Sequence, residues 1–494
     1  MSFRRPIALV LALLIPSTVA CSSRPPSTGD QQGQDRPNFV FVLTDDLSTN
    51  LVEHMPQVQA LARDGASFTN YTVTDSLCCP SRSSIFTGKF PHSTGVFTNM
   101  GPDGGFATFH GRKNEDATFA TALQKAGYHT AMLGKYLNGY EPDATIDGQE
   151  NYVPPGWNDW HVAGNGYGEY NYTLNANHQL EKHGKEPGDY LTDVIAGKAR
   201  DIISSAAGEK KPFLIELATF APHGPATPAP QDQDAFAGLK APRAASYGKL
   251  PANAPAWLAK HPELTAKQQT ALDTTFRKRV QSVQAVDRMI GSLRETLTKA
   301  GVADNTVVVF TSDNGFHLGE HRLTAGKQTA FETDVRVPLV MAGPGVEAGR
   351  TVAQPAQNID FAPTFQSMAG LTPADEIDGH SLAPLLSGPP PTDWRTASLV
   401  EHHGPNKSPK DPDRPGKGGG NPPTYAALRT TTATYVEYSD GTIEYYDRTK
   451  DPLQLNNVAN TLSSQRRTEL HSALQKLQSC HGQDECWSAG RSVK

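Results

Sequence analysis

The chain has 494 residues, with 45 Lys and Arg against 51 Asp and Glu for a formal net charge of −6, 37% hydrophobic residues and five cysteines. At roughly 100–200 residues per domain, this length accommodates one large α/β domain with a satellite, or a few smaller domains, around a sizeable core. The mild negative balance gives no electrostatic footprint for nucleic acid or an anionic membrane surface. The 43 Gly and 38 Pro residues imply many loops between regular elements, and any catalytic groups are expected on them.

Arg4-Arg5 precedes an uncharged apolar stretch from Pro6 to Val19. That is shorter than the roughly 20 residues of a membrane-spanning helix and suits a signal peptide over residues 1–20, so the chain is read as exported, secreted or at the cell surface. Ala20-Cys21 followed by Ser22-Ser23-Arg24-Pro25-Pro26 is similar to a bacterial lipoprotein cleavage site. Cys21 is thus a candidate lipid anchor, with simple secretion as the alternative. Residues 21–36 read as a flexible linker.

Asn38 to Thr44 is a continuous apolar run that ends in Asp45-Asp46, the pattern of a strand buried on both faces with acids at its carboxyl end. The pattern recurs where Lys211 to Ala218 leads to His223 and where Thr306 to Thr311 leads to Asp313-Asn314. Helices are predicted from Tyr190 to Ser204 and along the stripe Val283, Val286, Ile290, Leu293 and Leu297. Strands alternating with helices predict an α/β fold over residues 37–390, a large and mostly parallel sheet sandwiched by helices, with the site at its carboxyl edge. Residues 391–494 read as a smaller subdomain, with strands at Tyr425–Arg429, Ala433–Tyr438 and Thr442–Asp447 and a helix from about Ser464 to Leu477. Pro405 to Pro423 reads as a solvated connection, or alternatively as a rim of the substrate cleft. Cys480 and Cys486, with five residues between them, are expected to form a local disulfide.

Cys78-Cys79-Pro80-Ser81-Arg82 leads into Ser83-Ser84-Ile85-Phe86-Thr87-Gly88. Pro80 suits a helix start and Gly88 its end, which puts Cys78 and Cys79 at an amino terminus whose free N–H groups attract an anion. From local physics alone the pair reads equally as buried cysteines at a helix cap.

The stretch Cys78-x-Pro80-Ser81-Arg82 with Thr87-Gly88 resembles the signature of type I sulfatases in the alkaline-phosphatase-like superfamily. Further motifs similar to that family follow its order: Asp45-Asp46, Gly134-Lys135-Tyr136-Leu137-Asn138, Ala221-Pro222-His223, Ser312-Asp313-Asn314-Gly315, and Lys327 before Glu332. The resemblance spans about residues 36 to 460. It implies that Cys78 is oxidised to formylglycine, which needs a formylglycine-generating enzyme as a partner in maturation, and that Cys79 is a packed neighbour. It also implies a divalent metal at Asp45, Asp46, Asp313, Asn314 and position 78. These ligands are hard oxygens, which select Ca²⁺ or Mg²⁺ and make a thiolate a poor partner, whereas an aldehyde hydrate supplies oxygen. A carboxylate-rich, exported site favours Ca²⁺.

By the same resemblance Arg82 reaches back to the hydrated aldehyde, Lys135 and Lys327 hold sulfate oxygens, and His223 binds sulfate or protonates the leaving oxygen. Glu320-His321, close to Lys327, receives no role. The implied reaction is sulfate monoester hydrolysis with S–O cleavage, passing through a covalent sulfo-enzyme. Many sulfatases carry His where this chain has Leu137, which leaves the base that regenerates the aldehyde unassigned. Gly-Lys-Tyr-Leu-Asn with Cys-Cys-Pro-Ser-Arg is similar to N-acetylglucosamine-6-sulfatases and heparan sulfate endosulfatases, which points to a sulfated sugar or glycan as substrate. Phosphonate monoester or phosphodiester hydrolysis is the rival activity, and non-catalytic capture of sulfated glycans at the cell surface is the rival class.

Overall fold

A computed structural model of the chain describes residues 1–3 and 36–493. All but the first three residues of the expected signal peptide, the candidate anchor Cys21 and nearly all of the linker lie outside the described residues. Asn38–Thr44 is a strand buried along its whole length. Phe39, Phe41 and Leu43 enter one apolar cluster and Val40 and Val42 the other, the period-two alternation of a strand covered on both faces.

This strand lies at the centre of a ten-stranded sheet. From edge to edge the strands are Arg350–Val352, Ala66–Phe68, Leu339–Ala342, Thr306–Ser312, Asn38–Thr44, Phe213–Ala218, His129–Lys135, Asp159–Ala163, Thr173–Ala176 and Gln179–Lys182. The five from Thr306–Ser312 to Asp159–Ala163 run parallel, so their carboxyl ends meet at one edge. The antiparallel additions lie outside this block.

Helices cover both faces. Leu191–Gly208 and the 34-residue Ala266–Lys299 pack on the Val40 side, burying Ile195, Ile203, Val283, Val286 and Ile290. Phe119–Lys125, Phe361–Met368 and Cys78–Thr87 cover the other face, where Phe41 meets Phe361 and Phe365. Every residue of Cys78–Thr87 is buried, so this helix has no solvent-facing stripe to announce it in the sequence. It begins at Cys78, two residues before Pro80, and ends as predicted on Gly88, whose left-handed φ of 72° suits glycine.

Towards the carboxyl terminus the three predicted strands form at Tyr425–Thr430, Ala433–Tyr438 and Ile443–Asp447. A fourth, Ala397–His402, pairs antiparallel with Tyr425–Thr430 and gives a four-stranded sheet. Its partner in sequence lies beyond a long loop, so no hairpin turn marks the pairing. Helix Ser464–Ser479 packs Leu470, Leu474 and Leu477 on this sheet, and the Cys480–Cys486 disulfide forms beside them.

Glu332 ties the small sheet to the large one. Its carboxylate accepts from Arg429 Nε at 2.6 Å and Nη2 at 2.9 Å, with Arg448 at 3.3 Å and Arg336 at 3.2 Å. Burial opposes its charge, but Arg429, Arg448 and Arg336 outweigh it and lower the carboxyl from 4.5 to about 2. A carboxyl depressed on folding stabilises the protein fully above its ordinary value and loses that contribution as pH falls towards the folded value. Glu332→Gln is expected to cost about 3 kcal/mol in urea unfolding at neutral pH and to flatten the loss of stability of the parent below about pH 4.5.

Candidate active site

The carboxyl ends of four adjacent parallel strands deliver the predicted residues to one place. Asp45 and Asp46 follow Asn38–Thr44, Asp313 and Asn314 follow Thr306–Ser312, Lys135 ends His129–Lys135, and His223 follows Phe213–Ala218. Two of these ends are stitched together: Asp313 N donates to Thr44 O at 3.0 Å, and Asp46 N donates to Asp313 Oδ1 at 3.1 Å. Asp46 adopts a left-handed φ of 64°, an uncommon conformation for a side-chain-bearing residue that sharp turns at active sites exploit.

Position 134 shows why the sequence needs glycine before the lysine. Gly134 has φ of 98°, and a Cβ there would stand 2.0 Å from the Ala218 carbonyl oxygen of the neighbouring strand. Only glycine lets the strand turn Lys135 towards Asp45 at this approach, with Nζ 2.5 Å from Asp45 Oδ2.

Cys78, the first residue of its helix, points its sulfur into the cluster. Sγ lies 3.1 Å from Asp45 Oδ1, 3.9 Å from Asp46 Oδ1 and 2.9 Å from Lys327 Nζ. Asp45, Asp46, Cys78 and Asp313 each bring one ligand atom within 4.8 Å of the others, all from buried residues. Asn314 Nδ2 donates to Asp46 Oδ1 at 2.7 Å, while its buried Oδ1 has no hydrogen-bond partner. A buried, unpartnered amide oxygen beside three carboxylates fits a hard divalent cation. The donor set predicted from sequence is therefore brought together.

The cations are arranged around these carboxylates. Arg82 is fully buried and donates from Nε to Asp313 Oδ2 at 2.8 Å and from Nη1 to the Lys135 carbonyl at 3.0 Å. Its hydrogen bonds thus hold the metal-ligand candidate Asp313, where sequence reading aimed it at position 78. Lys327 Nζ is 2.5 Å from Asp46 Oδ1 and 2.8 Å from Asp413 Oδ1. Burial opposes the charges of Lys135 and Lys327, yet Asp45 beside the first, and Asp413 and Asp46 beside the second, hold both ammonium groups far above the ordinary range. His223 Nε2 lies 2.8 Å from Asp413 Oδ1 and 3.7 Å from Asp46 Oδ2. Burial lowers its pKa, but Asp46, Asp45 and Asp413 prevail and raise it to about 9, which favours the imidazolium.

The Cys78 thiol is pushed up, first by burial and then by Asp313, Asp413 and Asp45, so the unaltered side chain stays protonated and is a weak nucleophile. Leu137 is buried among apolar residues and offers no proton acceptor. Glu320 accepts from Leu318 N at 2.7 Å, and His321 bonds the Leu453 carbonyl at 2.9 Å while stacking on Phe331.

Five residues of the site were not singled out in the sequence. Asn99 accepts from Cys79 N at 2.9 Å and donates to Asp411 at 3.0 Å and to Asp413 at 2.7 Å. Asp411 and Asp413 are buried, which replaces the solvated connection expected over Pro405–Pro423 with a segment that enters the site. Tyr167 lies against the His223 ring at a centroid distance of 4.5 Å and beneath Lys135 Nζ at 5.1 Å. Arg279 of the long helix donates to the carbonyls of Asp46 and Pro222, fixing two strand ends at once. A signal for Arg279 was present: it interrupts the buried face formed by Phe276, Val280 and Val283.

A buried centre of carboxylates and cations at the carboxyl edge of a helix-covered, mostly parallel sheet agrees with the alkaline-phosphatase-like architecture that the motif resemblance implies. Residues 37–371 match the sulfatase family model, and residues 319–480 match the N-sulphoglucosamine sulphohydrolase C-terminal model. The chain belongs to the sulfatase family and is a sulfuric ester hydrolase. It is 37% identical to human N-acetylglucosamine-6-sulfatase, across 92% of this chain and 86% of that one. It is 36% identical to the extracellular sulfatase SULF-1 homolog of Drosophila melanogaster, across 75% of this chain but 33% of that longer one. A solved structure of a protein in complex with its substrate D-glucosamine-2-N,6-O-disulfate superposes with a TM-score of 0.72 at 25% identity, over 93% of this chain and 100% of that one.

Gly134→Ala is expected to destabilise the fold by at least about 2 kcal/mol in chemical denaturation and to abolish sulfatase turnover in the fraction that folds, because Lys135 is displaced.

Proposed function

We propose that the enzyme hydrolyses a sulfate monoester on a glucosamine-type sugar, using position 78 in its formylglycine form and a divalent cation, Ca²⁺ or Mg²⁺, at Asp45, Asp46, Asp313 and Asn314. The observation that carries this reading is the convergence of Cys78 with three carboxylates, an unpartnered amide oxygen and the cations Lys135, Lys327 and His223. Hydrated formylglycine supplies an oxygen nucleophile and the cation a Lewis acid for the ester oxygens. The substrate class follows the names of the relatives, two of which concern sulfated glucosamine.

The chain's own residues then divide the work. Lys135 and Lys327 neutralise charge on the sulfuryl oxygens, and the amino terminus of the Cys78 helix favours the same anion. The His223 imidazolium donates a proton from Nε2 to the leaving sugar oxygen. Arg82 keeps Asp313 in place, and Tyr167 holds the His223 ring against rotation while walling the sugar side. The catalytic domain is taken as residues 37–390, with the subdomain 391–494 lending Asp413 to its cleft. The apolar stretch before residue 20 and the Drosophila relative's name support export, either as a secreted protein or held at the cell surface through a lipid on Cys21. Among the described residues no helix is long and apolar enough to cross a membrane.

Cys78→Ala is expected to lower kcat/KM on glucosamine 6-sulfate at least about a thousandfold. Mass analysis of the peptide spanning position 78 in fully active enzyme is expected to lack the cysteine mass, and an intact thiol there overturns the reading. Prolonged chelation is expected to abolish turnover, with added Ca²⁺ restoring it and elemental analysis returning one divalent ion per chain at about unit stoichiometry.

A further inference from the structure

Asp413 stands on two of the cations that the proposed reaction assigns to the ester. Its Oδ1 is 2.8 Å from both His223 Nε2 and Lys327 Nζ. Lys327 in turn lies 2.9 Å from Cys78 Sγ, so the carboxylate is one cation removed from the reacting position. It is also fixed. Oδ2 accepts from Asn99 Nδ2 at 2.7 Å, and the Asp413 backbone carbonyl accepts from Gln328 Nε2 at 2.6 Å. Asn99 is anchored on Cys79 N, so the segment that carries Asp413 is tied to the start of the Cys78 helix. Burial disfavours the charge, but Lys327 and His223 outweigh it and hold the carboxyl ionised, well below its ordinary range.

A fixed negative charge in a buried anion site penalises a bound anion in proportion to the anion's own charge. A sulfate monoester carries one negative charge. A phosphate monoester carries two once pH exceeds about 6, and free inorganic sulfate also carries two. The cluster of Lys135, Lys327 and His223 would hold the dianions more tightly if nothing opposed it. We propose that Asp413 is a specificity-determining residue that selects singly charged sulfate esters against doubly charged anions, both phosphate monoesters and the inorganic sulfate product. This rests on the reading of His223 and Lys327 as the groups that grip the ester.

The test uses metal-loaded, matured wild type, Asp413→Asn, Asp413→Glu and Asp304→Asn. It compares kcat/KM for 4-nitrophenyl sulfate and 4-nitrophenyl phosphate at about pH 8, where the phosphate ester is a dianion, and measures inorganic sulfate binding by calorimetry. Asp413→Asn is expected to raise the phosphate-to-sulfate ratio of kcat/KM about tenfold or more and to tighten inorganic sulfate binding by a similar factor. Asp413→Glu, which keeps the charge, is expected to stay near the wild-type ratio. Asp304→Asn, which removes one negative charge from an exposed residue at the amino end of strand Thr306–Ser312, away from the site, is expected to leave both quantities unchanged. Because the readout is a ratio, partial loss of folded enzyme cancels, and Asp413→Ser is read in the same way if Asn does not fold. Equal loss on both esters with unchanged sulfate binding overturns the proposal and makes Asp413 a structural residue. Wild-type enzyme that turns over neither 4-nitrophenyl sulfate nor glucosamine 6-sulfate overturns the functional reading instead, and the calorimetric comparison then still decides the role of Asp413.

Discussion

Carboxylates of like charge cannot be crowded into a buried volume unless cations or hydrogen-bond donors are crowded in with them. Asp45, Asp46, Asp313 and Asp413 gather at one edge of the sheet, and much of the surrounding architecture answers that demand. Arg82 comes from the enclosed helix, Lys135 from a strand end, Lys327 from the loop before Glu332, and His223 from the turn after a central strand. The strand ends take part as well, since Arg279 donates hydrogen bonds to the carbonyls of Asp46 and Pro222 and Asn314 turns its side-chain amide nitrogen towards Asp46. The same balance that permits the charges to be buried also creates a centre able to polarise an anionic ester.

Much of this centre was legible because the fold delivers it from strand ends. Asp45-Asp46, His223 and Asp313-Asn314 each follow an apolar run, and such runs predict parallel strands whose carboxyl edges coincide. Lys135 and Lys327 were found through motif resemblance, since a lone lysine has no periodicity to mark it. Arg82 was legible as a helix residue one turn from Cys78, whereas its bond to Asp313 was not. One turn of helix brings a guanidinium near position 78, and only the tertiary position of the Thr306–Ser312 strand sets its partner as Asp313.

The parts that escaped the sequence depend on long-range closure. Asp413 lies in a segment rich in Pro, Gly and Lys that has the composition of a solvent loop, yet Asn99, more than 300 residues earlier, draws its acids inward. Strand Ala397–His402 was missed for a related reason, because its pairing spans that same segment. The smaller sheet is therefore more than a satellite. It is fixed to the large one through Glu332 and Arg429, and the loop between its first two strands closes the cleft.

The complete enclosure of Cys78–Thr87 imposes an order of events on the life of the molecule. Once the sheet and its covering helices have closed, no other macromolecule can reach the sulfur of Cys78 without undoing the core around Phe86 and Phe361. Any protein that alters that side chain must meet the chain while it is still extended, in competition with collapse. On the proposed reading, in which another protein converts position 78, the yield of converted molecules is governed by a race between two rates during biogenesis rather than by the stability of the finished fold.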